Sequence, residues 1–396
     1  MQKSYFYDPA DRIRNVPFSP VRKVMEYANE LERQGNKMVY FQIGEPDFIT
    51  PQPIIDATCE ALKNHRTHYS PNRGTLELRT VIATSIAEKH NLQYDPQTEV
   101  LVLVGGAEAI NVSLFGVLNP GDEVIIFTPA FMNYACLAEM VGAITVNVPL
   151  KKENNLQIDL DDVRRSITPK TRMIIVNNPS NPTGVVFEEK ILEGLAKLAV
   201  EHDILVLSDE IYDEILYDGA ICRSIATFPG MRERTILMNG YSKAYAMTGW
   251  RLSYVAADPR IISNLLKVHQ YETTCVPTFI QDGVAKAMLS SETSAAKADM
   301  VAAFTRRRKI LLEGLRAIPG FSFAEPKGAF YVLLDVSGTG LTGEEFATRL
   351  LEEKHVAVVP GVGFASEPEY VRLSFALSEE NIKIGLERMA DFVRTL

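Results

Sequence analysis

Cysteine is scarce in this chain of 396 residues. There are four, Cys59, Cys136, Cys222 and Cys275, far apart and without a Cys-x-x-Cys pair. That spacing points to neither a metal site nor a disulfide framework, and it fits a reduced compartment. Positive charge is also in deficit. Lys and Arg total 41 against 50 Asp and Glu, a formal charge of -9. A general basic face for a phosphate backbone is therefore not expected, and no nucleic-acid partner is. The opening residues hold no apolar signal core, and no apolar run is long enough to span a bilayer. The expectation is a cytoplasmic protein with no membrane partner. No G-x-x-x-x-G-K-[ST] string occurs, and the glycine turn at Gly105-Gly106 is not G-x-G-x-x-G. Internal repeats and low-complexity tracts are lacking as well.

What the chain does hold is an ordinary globular balance, 46% hydrophobic and 23% charged residues, at a length that accommodates two domains. An arm and a helix come first, with Val21, Val24, Met25, Ala28 and Leu31 at helical spacing. A short strand over 39–43 runs into the turn Gly44-Glu45-Pro46-Asp47-Phe48. Helices are expected over about 53–64 and 76–90, separated by a loop that carries Tyr69. Then one theme repeats. Apolar runs at 100–104, 124–127, 173–176, 204–207 and 236–238 each end in polar or turn residues, with helical patterns between them. Continuous rather than alternating hydrophobicity marks strands covered on both faces. The fold class is therefore α/β, a large domain with a mostly parallel sheet covered by helices, plus a smaller α+β domain. The large domain is placed at 46–289, and the arm and small domain at 1–45 and 290–396. Within the latter, Arg306-Arg307-Arg308-Lys309 reads as one solvated helix face.

Ligands of open parallel sheets bind beyond the carboxyl ends of the strands, so the residues there deserve the closest reading. After 236–238 comes Asn239-Gly240-Tyr241-Ser242-Lys243, and eight positions past the lysine, Arg251. A lysine at a buried strand end can attack a carbonyl, and an arginine can grip an anion with a fork of hydrogen bonds. Together they could hold a phosphorylated aldehyde by its two ends; two solvated cations on a surface loop is the bland alternative. Gly105-Gly106-Ala107-Glu108 opens a helix whose backbone N–H groups could hold an anion, or it is an ordinary strand-to-helix turn. Phe131 could stack on an aromatic ring, although a core phenylalanine is commoner. Asn181, between Pro179 and Pro182, could aim a side-chain amide or simply build a turn. Asp209 closes an apolar strand, where a carboxylate needs a cationic partner. Arg372, alone in an apolar strand, needs an anion, internal or bound.

Assembled in order, Asn181-Pro182-Thr183-Gly184, Ser208-Asp209-Glu210-Ile211-Tyr212, Ser242-Lys243-Ala244, Met247-Thr248-Gly249-Trp250-Arg251 and Val371-Arg372-Leu373-Ser374 resemble the class I/II aminotransferases. These are fold-type I enzymes that use pyridoxal 5′-phosphate, and the aspartate and aromatic aminotransferase subgroup is the nearest in pattern. The resemblance implies an amino group moved from an L-α-amino acid to a 2-oxo acid, 2-oxoglutarate being the expected acceptor, with ping-pong kinetics. It implies Lys243 as the Schiff-base lysine and proton shuttle, and Asp209 on the ring nitrogen. Asn181 and Tyr212 would bond the ring oxygen, and Phe131 would stack on the ring. Arg251, Ser242 and the turn Gly106, Ala107 and Glu108 would take the phosphate, with Tyr69 reaching it from the partner of a homodimer. Arg372, Asn181 and the Gly44 backbone would bind the substrate α-carboxylate. Ala107 and Phe131 depart from the aspartate-type pattern, which makes a dicarboxylate preference doubtful. Three alternatives remain at this point: a C–S lyase on the same fold, an α/β-hydrolase using Ser242 with His269 or His355 as base, and a non-catalytic binding protein on the same scaffold.

Overall fold

The computed structural model describes residues 8–396. The strands in chain order are β1 (Val39–Tyr40), β2 (Val100–Leu103), β3 (Glu123–Thr128), β4 (Ile144–Pro149), β5 (Thr171–Asn177), β6 (Leu205–Asp209) and β7 (Thr235–Gly240). They continue with β8 (Ser253–Ala256), β9 (Ser322–Phe323), β10 (Tyr331–Asp335), β11 (Val356–Ala357), β12 (Val359–Pro360) and β13 (Tyr370–Ser374). The large sheet has the order β2-β8-β7-β6-β5-β3-β4. Its β7-β6-β5-β3-β4 part is parallel, and β8 is inserted antiparallel between β7 and β2.

The continuous apolar runs follow from this architecture. Successive residues of a strand face opposite sides, and here both sides are core. Val124 and Ile126 pack with Ala109, Ile110, Ile262 and Leu265 of the helices Gly105–Val117 and Pro259–Glu272. Ile125 and Phe127 pack on the other face with Leu192, Leu195 and Ala199 of the helix Glu189–Glu201. Each such fully buried side chain contributes on the order of 2 kcal/mol. Two strands of the large sheet lie outside the sequence reading. β4 is an edge strand whose residues are mostly partly exposed, so it has no continuous apolar run. β8 is a four-residue return immediately after Arg251.

The second sheet, β12-β13-β10-β9, is antiparallel. It packs with the helices Ser291–Arg316, Gly343–Lys354 and Glu379–Arg394 around Phe304, Phe346 and Phe392. The strand expected over 39–43 is shorter than anticipated: only Val39–Tyr40 pairs in parallel with β11. Phe41 nonetheless stays extended, since its N–H donates to Ala357 and its carbonyl accepts from Ser374. The basic run is a second correction. Arg307 and Arg308 are buried. Arg307 forks onto Asp47 at 2.6 and 3.0 Å, and Arg308 donates to the Pro326 carbonyl and to Glu325. Only Arg306 and Lys309 face solvent, so the run is half structural clasp. All four cysteines are free. Among the described residues no helix is long and apolar enough to cross a membrane.

Candidate active site

Because β3, β5, β6 and β7 are parallel, their carboxyl ends share one rim of the sheet. Phe131 follows β3, Asn181 follows β5, Asp209 ends β6 and Lys243 follows β7. A cavity of about 540 Å³ opens there. Its wall includes Gly106, Ala107, Phe131, Asn181, Asp209, Tyr212, Ser242, Lys243 and Arg251 from the large sheet's side. Gly44 and Arg372 join them from the other side.

Asp209 is 3% exposed. The Tyr134 hydroxyl donates to its Oδ2 at 2.6 Å, and the Ile211 N–H donates to Oδ1 at 3.1 Å. Burial pushes its carboxyl up to about 6, while the Tyr134 and Ile211 hydrogen bonds and the Lys243 charge pull the other way. A cation set against this carboxylate would relieve that cost. Asn177 fixes the neighbourhood: its Nδ2 donates to the Asp209 carbonyl, and its Oδ1 accepts from the Asn181 N–H.

Lys243 Nζ donates to the Gly44 carbonyl at 2.7 Å. Burial lowers its ammonium to about 8; Glu45 resists, and Arg372 and Arg251 push further down. The Tyr212 and Tyr331 hydroxyls lie 3.0 Å apart. Burial raises Tyr212 well above the ordinary phenol range, so it keeps its proton as a donor. Arg372 is buried in β13. Its Nη2 donates to the Gln42 carbonyl at 2.8 Å and its Nη1 to Asn181 Oδ1 at 3.3 Å. Its Nε has no partner, and the Tyr331 and Phe364 rings flank its guanidinium at 4.6 and 4.8 Å. A buried guanidinium with donors to spare is built for a carboxylate.

Arg251 follows a short 3-10 turn, Thr248–Trp250, in the left-handed region at φ 57°. Non-glycine residues pay for that conformation, and such strain collects at ligand sites. Its Nη1 donates to the Thr248 carbonyl at 2.8 Å. Gly105, at φ +77°, lets the guanidinium lie directly on the turn, where any Cβ would collide with it. The anion turn and the arginine fork thus form one corner.

Two residues named from the sequence lie off this wall. The Glu108 side chain turns back to cap its own helix, accepting from the Val104 N–H and from Thr273, and pairing with His269 Nδ1 at 2.8 Å. Burial opposes its ionisation, yet the His269, Thr273 and Val104 contacts hold its carboxyl below the usual range. Only its backbone could serve an anion. Tyr69 is 86% exposed. The hydrolase alternative loses its base, because His269 is sealed against Glu108 and neither His269 nor His355 lines the cavity. Conversely, Tyr134 and Tyr331 line it unforeseen. So does the arm, through Ser19, Val21, Arg22 and Met25. A G-x-G-x-x-G string does occur at Gly338–Gly343. Its Gly338 abuts Gly320 and its Gly343 abuts the Tyr370 carbonyl, so these glycines serve backbone packing away from the cavity. His90, Glu210 and Asp213 bring ligand atoms within 4.8 Å of one another, but Lys89 already pairs with Asp213 at 2.8 Å.

Comparison with known proteins decides the family. The family model described as aminotransferase class I and II matches residues 36–389. The chain belongs to the class I and II aminotransferases. It is 42% identical to an aspartate aminotransferase of Pyrococcus abyssi over 97% of this chain and 98% of that one. It is 40% identical to an aromatic-amino-acid aminotransferase 2 of Thermococcus litoralis, over 96% and 97%. The solved structure of an aspartate aminotransferase from Thermus thermophilus with maleate superposes with a TM-score of 0.93. The identity is 39%, covering 98% of this chain and 99% of that one. This aminotransferase is accordingly an α/β protein of fold type I and depends on pyridoxal 5′-phosphate. The residues fit that group. A lone buried carboxylate at Asp209 suits a protonated ring nitrogen, Lys243 suits a carbonyl, and the Gly105–Arg251 corner suits a phosphate. Arg372 keeps an unpartnered Nε.

Proposed function

We propose that this aminotransferase moves the amino group of an acidic or aromatic L-α-amino acid to 2-oxoglutarate, in a cytoplasmic homodimer with shared active sites. The donor classes follow the names of its relatives, and the unpaired thiols suit a reducing compartment. One observation carries the reading: Lys243, Asp209 and Arg372, far apart in sequence, converge in one cavity. In this reading Asp209 would hold the cofactor ring nitrogen, Asn181 and Tyr212 its ring oxygen, and Phe131 its face. Arg251, Ser242 and the backbone of Gly106, Ala107 and Glu108 would hold its phosphate, completed by Tyr69 of the partner subunit. When bound, the cofactor supplies an electron sink for the substrate Cα.

The chain's own residues supply the rest. Arg372, steadied by Asn181, Gln42 and the rings of Tyr331 and Phe364, would fix the α-carboxylate, which aims the Cα–H bond at Lys243. Lys243, as a neutral amine, would remove the Cα proton and hold it at Nζ for return on the cofactor side. The Gly44 carbonyl, 2.7 Å from Nζ, would orient that amine between transfers. Residues 46–289 would form the cofactor domain. Residues 1–45 and 290–396 would form the part that excludes water. The test is spectroscopic. Amino acids are added singly to the purified yellow protein, and the 2-oxo acid product is assayed with and without 2-oxoglutarate. Bleaching by an acidic or aromatic donor, with turnover only when acceptor is present, supports the reading. Sustained pyruvate and ammonia release without acceptor replaces it with lyase chemistry.

A further inference from the structure

Four cationic side chains line the cavity, and three are engaged. Lys243 is tied to the Gly44 carbonyl, Arg251 to the Thr248 carbonyl, and Arg372 to Gln42 and Asn181. The fourth is Arg22. Among the described residues its side chain has no hydrogen bond and no ion pair; it is exposed and lines the wall. Of the two acidic side chains on that wall, Asp209 is held by Tyr134 and Glu45 accepts from Thr248 Oγ1 at 2.7 Å. Neither meets Arg22.

The packing next to Arg22 links it to the Arg372 flank of the cavity. Pro20, two residues before it, packs directly against Gly363. The next residue, Phe364, sets its ring 4.8 Å from the Arg372 guanidinium. Arg22 also stands in the first turn of the helix Pro20–Arg33, where the backbone dipole is already positive. No acidic side chain in that turn balances it, and Ser19 makes no side-chain cap. A guanidinium at the positive end of a helix works against the fold. An anion held there would be favoured by both.

We infer that Arg22 is a specificity residue that reads the second carboxylate of an acidic substrate while Arg372 holds the first. The inference rests on the aminotransferase reading above and names the substrate class that reading leaves open between acidic and aromatic. A carboxylate on Arg22 would be a charge-assisted contact at the cavity mouth, made by dicarboxylic amino acids and their oxo acids and not by aromatic ones.

The test uses the cofactor-loaded enzyme and its Arg22→Met and Arg22→Lys variants. For Arg22→Met, the ratio of kcat/KM for aspartate to that for phenylalanine should fall by about 50-fold. Arg22→Lys should recover part of the ratio. Calorimetric binding of maleate should weaken in Arg22→Met by a similar factor, while binding of 3-phenylpropionate should not follow it. An unchanged ratio, or equal loss for both donors and both ligands, overturns the inference. Wild-type enzyme that transaminates phenylalanine but not aspartate or glutamate also overturns it. Wild-type enzyme that transaminates no amino acid overturns the functional reading instead.

Discussion

At the scale of single residues, the chemistry rests on how far burial moves a charge. An ordinary lysine amine is roughly 0.1% neutral at pH 7.5, while one lowered to about 8 is roughly a quarter neutral. Only the neutral amine can attack a carbonyl. The rate at which cofactor-free enzyme takes up pyridoxal 5′-phosphate should therefore rise with pH and level off above about 8. Stopped-flow absorbance from pH 6 to 10 measures this, and a midpoint near 10.5 would contradict it. Lys243→Ala should lose at least ~10³-fold in kcat while still retaining the cofactor by gel filtration. Lys243, Asp209 and Arg372 were legible because a charge at the end of, or inside, an apolar run has a cost that invites an explanation, and Arg251 because it closely follows that lysine. Tyr134 and Tyr331 were not. A tyrosine in an apolar segment reads as core, and both are core by burial. Their hydroxyls matter only through what the fold sets opposite them: Asp209 for Tyr134, and Tyr212 for Tyr331.

At the scale of elements, the strands buried on both faces announced themselves, whereas the half-exposed β4 and the short β8 did not. The run Arg306-Arg307-Arg308-Lys309 shows why charge alone is a poor guide to exposure. On a helix, neighbouring residues point about 100° apart, so two of the four turn inward. Arg307 is one of them, forked onto Asp47 with its guanidinium 4.7 Å from the Phe48 ring. It thereby clasps the turn whose Gly44 carbonyl receives Lys243. Gly44 is itself hemmed in, since a Cβ there would lie 2.9 Å from the Tyr331 hydroxyl. Arg307→Met should cost about 1 kcal/mol in urea unfolding, because it removes the fork onto the partly exposed Asp47. It should also raise KM for the amino donor and lower kcat, each several-fold, since in the proposed reading the Gly44 backbone would both border the α-carboxylate and orient the Lys243 amine. A stability loss with unchanged KM would separate the clasp from the site.

At the scale of the molecule, Tyr69 tells most about assembly. It is 86% exposed, and Ile49, Tyr271 and Leu289 are each more than 80% exposed as well. Scattered singly such side chains are ordinary; gathered under a partner they would suit a covered surface. If a twofold dimer places Tyr69 at the partner's phosphate corner, each site is composed of two chains. The consequence can be measured by mixing. Lys243→Ala dimers have no active site of their own, and Tyr69→Ala dimers should be weakened by about 10- to 100-fold through cofactor loss. After subunit exchange at equal amounts, half the dimers are mixed. In each mixed dimer the site with an intact Lys243 receives an intact Tyr69 from its neighbour. Activity should recover to about a quarter of the wild-type rate per chain, since one site in two is whole in half the dimers. If Tyr69 served its own chain, every intact Lys243 would still sit beside an altered Tyr69, and mixing would restore nothing.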